Sequence, residues 1–289
     1  MTSHTFARAV FYTVAAGSIL AGMDSLGKVL MREFSPYQVT WARFFFHTLL
    51  MFGFLAAQGE WAAFRTKAPK IQMLRGLCMA GINTSLYIAI ITVSLAEATA
   101  LMYLSPVLVT LLAGIFLGEK ITPRHLLAVA AGFVGVLVII RPGFHAFEPS
   151  MLLVLLASFL LAFYFLLTRK VSSIDGGRTS LFYTALVGAV VLSIIVAVHG
   201  WIAPTPTQWL LLACMGALGM SGHFLFIKAY TLQPASELSP WLNAQVVAAT
   251  LFSVFLFGDV LDGWFYLGTG LIVGAGLLVW IGGRRKSTI

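Results

Sequence analysis

Residues 98–117 read Ala98-Thr-Ala-Leu-Met-Tyr-Leu-Ser-Pro-Val-Leu-Val-Thr-Leu-Leu-Ala-Gly-Ile-Phe-Leu117, twenty residues without one charge. A helix crossing the hydrocarbon of a bilayer needs about 20 mostly apolar residues. Nine more runs of this kind surround it, over 9–31, 37–57, 71–94, 124–140, 151–168, 179–198, 208–230, 238–257 and 263–281. Turn residues stand at their ends: Ser35-Pro36, Arg141-Pro142-Gly143, Asp175-Gly176-Gly177, Pro204-Thr205-Pro206 and Gln233-Pro234. The runs are continuous, so they do not read as strands of a membrane barrel, which alternate with period two. The expected fold is an all-α polytopic membrane protein with ten transmembrane helices.

Composition says the same. Of 289 residues, 60% are hydrophobic and 10% charged, with mean hydropathy +0.95. A soluble domain carries roughly 25% charged residues, and this chain lacks the polar surface for one. The net charge of +8 is explained by topology and points to no nucleic acid. Short loops rich in Lys and Arg stay cytoplasmic. With the N-terminus inside, fourteen of the 18 basic residues fall inside, among them Arg65, Lys67, Lys70 and Arg75. Only Arg32 and Arg141 fall outside, while Lys28 and Arg43 lie within spans. Both termini are therefore expected in the cytoplasm, with the chain in a bacterial inner (plasma) membrane. The first run is too long for a signal-peptide core and reads as an uncleaved first span. Cys78 and Cys214 lie inside apolar runs and form no metal or disulfide pattern.

A shift of 140 residues brings landmarks into register: Gly76 with Gly216, Glu97 with Glu237, and Gly118-Glu119 with Gly258-Asp259. All ten spans pair, one with six through five with ten. Five helices per repeat is an odd number, so the second repeat enters the membrane upside down. Two inverted five-helix repeats are a recurring architecture of secondary transporters, with the substrate site between them near the midplane. The expected division is a cytoplasmic N-terminus at 1–8, repeats at 9–141 and 151–281, and a basic cytoplasmic C-terminus at 282–289.

The stretch Leu95-Ala-Glu-Ala-Thr-Ala-Leu-Met-Tyr-Leu-Ser-Pro106, with Leu117-Gly-Glu-Lys120, Gly132-Phe-Val-Gly-Val136 and Arg141-Pro-Gly143, resembles the drug/metabolite transporter superfamily of the EamA type. Met23-Asp-Ser-Leu-Gly-Lys28 and Trp41-Ala-Arg-Phe44 resemble the start of the same unit. The second unit departs from the pattern: Asp259 replaces the usual Glu, and Val246 stands where Pro106 would map. The resemblance implies ten helices with both termini inside, moving small organic metabolites by alternating access. Characterised relatives include exporters of amino acids and importers of S-adenosylmethionine or riboflavin.

Several motifs bear on chemistry. Gly22-Met-Asp-Ser-Leu-Gly-Lys28 fits the spacing of a phosphate-binding loop, but Val29 stands where Ser or Thr is needed and the segment is an apolar helix. The 6 histidines are dispersed, and no ligand spacing or filter signature is present. The reading is neither enzyme nor channel, with no cofactor and no metal.

Charges inside a span are functional candidates by default. Asp24 and Arg43 lie at similar depths on consecutive helices, about 10 and 9 Å from the outer surface at 1.5 Å per residue. They are expected to pair, either as a fixed structural ion pair or to bind a substrate carboxylate or ammonium. Lys28 could share Asp24 or reach outward. Glu97 and Glu237 are symmetry mates at helix starts, readable as caps or as an outer and an inner gate, with Lys228–Glu237 as an inner latch. Glu119 and Asp259 read as loop residues. His223 lies mid-span, either packed or titratable. Asn83, Tyr87, Tyr103, Ser105, Trp241, Asn243 and Gln245 form a polar and aromatic cluster on spans three, four and nine, suited to stacking and to hydrogen-bonding a zwitterion. Small residues at Gly132-x-x-Gly135 and Gly268-x-Gly270-x-x-x-Gly274 suit close helix packing within a monomer, or a homodimer through spans five and ten. The expected function is secondary transport of small amphipathic metabolites, with export of amino acids and their aromatic or cationic relatives first. The alternative is uptake of S-adenosylmethionine, a nucleoside-like compound or a vitamin such as riboflavin.

Overall fold

The computed structural model describes residues 3–117, 123–140, 148–233, 238 and 241–284, and their regular structure is helical throughout. The helices are α1 (Ser3–Leu30), α2 (Pro36–Ala57), α3 (Pro69–Ala89), α4 (Leu95–Met102), α5 (Ser105–Leu117) and α6 (Pro123–Ile140) in the first half. The second half has α7 (Ser150–Val171), α8 (Gly177–His199), α9 (Pro206–Leu232), α10 (Ala244–Phe257) and α11 (Gly263–Arg284). A 3₁₀ turn, Trp61–Phe64, precedes α3. Five of them, α1, α2, α7, α8 and α9, are long and apolar enough to cross a bilayer by length and composition.

Helix ends follow from local chemistry. Ser35 caps α2, its hydroxyl accepting from the Gln38 N–H at 3.2 Å, and Pro36 fills the first turn where no donor is needed. Thr205 and Gln208 form a reciprocal capping box at α9, as Ser94 and Glu97 do at α4. That second box moves a predicted boundary: the third span stops at Ala89 instead of Ser94, because Ser94 starts the next helix.

The fourth span is broken. Pro106 cannot donate to the carbonyl of Met102, and its ring would clash there. Accordingly α4 ends at Met102 and α5 restarts at Ser105.

Packing obeys the repeat. Under exchange of the two halves, the α1–α9 contact becomes α7–α3, the α2–α9 contact becomes α8–α3, and α2–α8 and α6–α11 map onto themselves; all of these helices pack together. Individual residues follow. A Cβ on Gly76 would fall within 3.0 Å of Val187, and one on Gly216 within 3.0 Å of Phe46 and the His47 backbone. Gly216 lies 140 residues after Gly76, and Val187 lies 140 after His47. The glycines of spans five and ten serve this packing: Gly135 lies against Gly268 and Ile272, and Gly132 against Ala275. Large apolar side chains such as Phe133, Ile194 and Phe255 point outward and are exposed, as suits a chain whose solvent is lipid.

Candidate functional site

A cavity of about 480 Å³ runs between the helices from the level of Asp24 to the α7–α8 turn. Ligand sites typically span roughly 300–1,000 Å³. Its wall draws on both halves: α1, α2, α3 and the α4–α5 break from the first, α7, α8, α9 and the start of α10 from the second. The α6–α11 pair contributes no lining residue among those described.

Of the residues singled out from sequence, Asp24, Arg43, Asn83, Tyr103, Ser105, His223 and Gln245 line this cavity. Asn83 donates to the Met79 carbonyl at 2.8 Å on its own helix. Tyr103 sits at the helix break and its hydroxyl donates to the Leu242 carbonyl, joining the fourth span to the ninth.

The expected direct Asp24–Arg43 pair does not form. Among the described residues, no Arg43 nitrogen comes within the 4.0 Å of Asp24 that defines a salt bridge. Tyr87 is the partner of Asp24 instead: its hydroxyl donates to Asp24 Oδ1 at 3.3 Å, and the Arg43 charge acts on both groups. Tyr87 is therefore no stacking platform. It is 0% exposed, and a Cβ on Gly27 would collide with its ring, so glycine there makes room for it.

Lys28 turns away from Asp24 to the α1–α2 end. Its ammonium donates to the Val93 carbonyl at 3.3 Å and lies 4.0 Å from Asp259 Oδ2. Ser253 donates to the same oxygen at 2.6 Å and accepts from the Ala96 N–H at 3.1 Å. Asp259 thus ties α1, α4 and α10 together. Glu97 is held by Ser94 in the capping box. Trp241 is exposed, and neither it nor Asn243 is among the lining residues. Lys228 is exposed with its ammonium 4.9 Å from the Phe224 ring. Glu237 and Glu119 lie outside the described residues, so the Lys228–Glu237 latch has no described geometry.

At the α7–α8 end stand residues that sequence reasoning passed over. Arg75, counted above with the basic residues of a loop, lies within α3, is 2% exposed and lines the cavity. Its Nε donates to Thr168 Oγ1 at 3.0 Å, Nη1 to Gln72 Oε1 at 2.5 Å and to the Ser180 carbonyl at 3.5 Å, and Nη2 to the Tyr164 hydroxyl at 2.9 Å. Gln72 in turn donates to Asp175 Oδ2 at 2.8 Å and Ser180 Oγ at 3.0 Å. Asp175 also accepts from Thr66 at 2.5 Å and from the Lys67 N–H at 3.0 Å. Burial pushes the Asp175 carboxyl upward, but these hydrogen bonds together with the Lys67 charge outweigh it and hold the group below its ordinary 3.8. The signal available in sequence was Arg75 itself, a charge inside an apolar run. His47 was also passed over; its ring stacks with that of His223 at 6.2 Å.

Comparison with known proteins follows the same architecture. A profile of the EamA-like transporter family matches residues 7–141 and 149–281. An S-adenosylmethionine uptake transporter of Rickettsia bellii is 27% identical over 93% of this chain and 94% of its own. A riboflavin transporter of Vibrio cholerae is 27% identical over 91% and 89%, and the human solute carrier family 35 member G1 is 28% identical over 72% and 62%. A solved crystal structure at 19% identity covers 99% of both chains with a TM-score of 0.65, which speaks for the fold alone.

Proposed function

Because this chain belongs to the EamA-like transporter family, a membrane-embedded transporter rather than an enzyme, we propose that it takes up a nucleoside-like or vitamin cofactor, S-adenosylmethionine first. The similarity to uptake carriers of S-adenosylmethionine and riboflavin favours this reading over amino-acid export. The observation that carries it is the cavity itself: about 480 Å³, built from both repeats, with buried charges toward its two ends. Tyr103, Tyr164, Phe165, Phe226 and Tyr230 in its wall offer flat faces to a heterocycle, and Asp24 offers a counter-charge to a cation. Asn83, Ser105, His223 and Gln245 supply hydrogen bonds beside them. The transporting unit in this proposal is the monomer, seated in the inner membrane with both termini cytoplasmic.

Alternating access follows from which contacts have partners across the repeat. Gln38 exchanges two hydrogen bonds with the Ile202 backbone at one end. Arg178, 140 residues on, pairs with Glu60 at the other. A contact made at both ends belongs to the static frame. Lys28–Asp259 differs: the residue 140 on from Lys28 is Thr168, which lines the cavity. Among the described residues, the α1–α2 end is bridged by an ion pair and the α7–α8 end is hollow, an inward-facing arrangement. In the opposite state the ion pair parts and the cavity closes around Thr168.

Thermal unfolding of purified protein with candidate ligands tests the reading. A ligand at a hundred times its Kd stabilises by about 2.7 kcal/mol. S-adenosylmethionine or riboflavin is expected to raise the Tm while tryptophan and methionine leave it unchanged. The reverse order would restore the amino-acid reading.

A further inference from the structure

Among the described residues, Arg75 is a buried charge with no carboxylate within salt-bridge distance. Taking a cation out of water is expensive unless an anion is held beside it, and buried guanidiniums usually find a carboxylate. Here the four acceptors are Thr168, Gln72, the Ser180 carbonyl and Tyr164, all neutral. Asp175 is near, but Gln72 stands between, taking the guanidinium on its oxygen and giving its amide to the carboxylate. No Arg75–carboxylate pair within 4.0 Å occurs among the described residues. A guanidinium has five N–H donors, so these four bonds leave one on Nη2. The group is clamped in plane by its neighbours and fronts the cavity.

From this we infer that Arg75 is a carboxylate subsite of the transport cavity, so that the ligand is an organic acid or zwitterion carrying its carboxylate at the α7–α8 end. The inference rests on the proposal that this cavity holds the transported ligand. Arginine suits the task because its guanidinium stays charged and its plane is held by four neighbours, leaving one Nη2 N–H for a charge-assisted hydrogen bond to a carboxylate oxygen, where a flexible lysine ammonium would not be held. Spacing narrows the class further. Arg75 and Tyr87, the neighbour of Asp24, are twelve residues apart on α3, about 18 Å along the helix. A free amino acid, whose two charges share one carbon, reaches only one of these positions. A carboxylate borne on an extended, partly aromatic body reaches from Arg75 toward Asp24 past Tyr103 and Phe226.

The test is titration of detergent-purified protein with S-adenosylmethionine and its decarboxylated form, tryptophan and tryptamine, and riboflavin. Wild type is expected to bind S-adenosylmethionine at least tenfold more tightly than the decarboxylated form. In Arg75→Gln that preference falls below threefold, while the decarboxylated form binds as before, which also shows that the variant is folded. If Arg75→Gln does not fold, Arg75→Lys carries the test: charge without the held guanidinium plane reduces the preference at least threefold. Equal binding of both forms by wild type, or a preference that survives both substitutions, overturns the subsite and leaves the cofactor-uptake reading intact. Binding of riboflavin alone, which has no carboxylate, overturns it likewise. Tryptophan bound over tryptamine, with nothing for the other ligands and the preference lost in Arg75→Gln, keeps the subsite and overturns the cofactor reading. Failure of every ligand overturns both.

Discussion

The hydroxyl of Tyr87 on α3 donates to the buried Asp24 carboxylate on α1 at 3.3 Å, and the Arg43 charge on α2 acts on both groups. Removing a buried partner leaves the others unsatisfied, at about 1–3 kcal/mol. Tyr87→Phe, which keeps the ring, is expected to lower stability by that amount. A double-mutant cycle with Asp24→Asn should give a coupling of about 0.5–3 kcal/mol. Strictly additive losses in thermal unfolding would contradict the shared bond.

Asp175 predicts an acid limb. Its folded pKa lies below the ordinary 3.8, so it stabilises fully above that value and the contribution is lost as pH falls through the folded one. Asp175→Asn should have a lower Tm than wild type at pH 7. The gap should narrow below pH 4, where only wild type loses its charged acceptor. A gap that stays constant down to pH 3 would show that the ionised carboxylate contributes nothing.

Gly76 and Gly216 each lie against the other repeat where no Cβ fits. Overpacking of this kind typically destabilises by about 1–3 kcal/mol. Gly76→Val and Gly216→Val should both fall in that range in denaturation of the purified protein. Gly274→Val, at a site with open space, should be near neutral. Equal effects at all three positions would undo the packing argument.

Lys28→Gln should release the α1–α2 end. With Cys78 and Cys214 replaced by alanine, a cysteine placed at Thr99 in the cavity wall reports access. Labelling by a membrane-impermeant maleimide added outside intact cells is expected to rise severalfold in Lys28→Gln, and likewise in Asp259→Asn. Unchanged labelling in both would mean that this ion pair is not the outer closure.

Span number, repeat and most helix ends were legible in the sequence because each rests on local chemistry. Hydropathy marks the runs, and Ser35 and Thr205 mark the starts of α2 and α9. The break at Met102 was hidden from hydropathy, since Tyr103 and Leu104 are as apolar as their flanks; Pro106 was its one sign. Depth counting brought Asp24 and Arg43 to one level but could not show that Tyr87 takes the hydrogen bond to Asp24, because direction around a helix depends on neighbours. Arg75 marks the limit most clearly. Its partners Tyr164 and Thr168 lie 89 and 93 residues away in the other repeat, and nothing in a loop-charge count reveals them.

The most direct measurement of the central claim is uptake of labelled S-adenosylmethionine into proteoliposomes holding the purified protein. Saturable entry, accelerated by unlabelled S-adenosylmethionine preloaded inside and abolished by blocking a cysteine at Ser180 in the cavity wall, is the predicted result. Entry that neither saturates nor responds to ligand on the far side, or no entry beside robust movement of tryptophan, would contradict it.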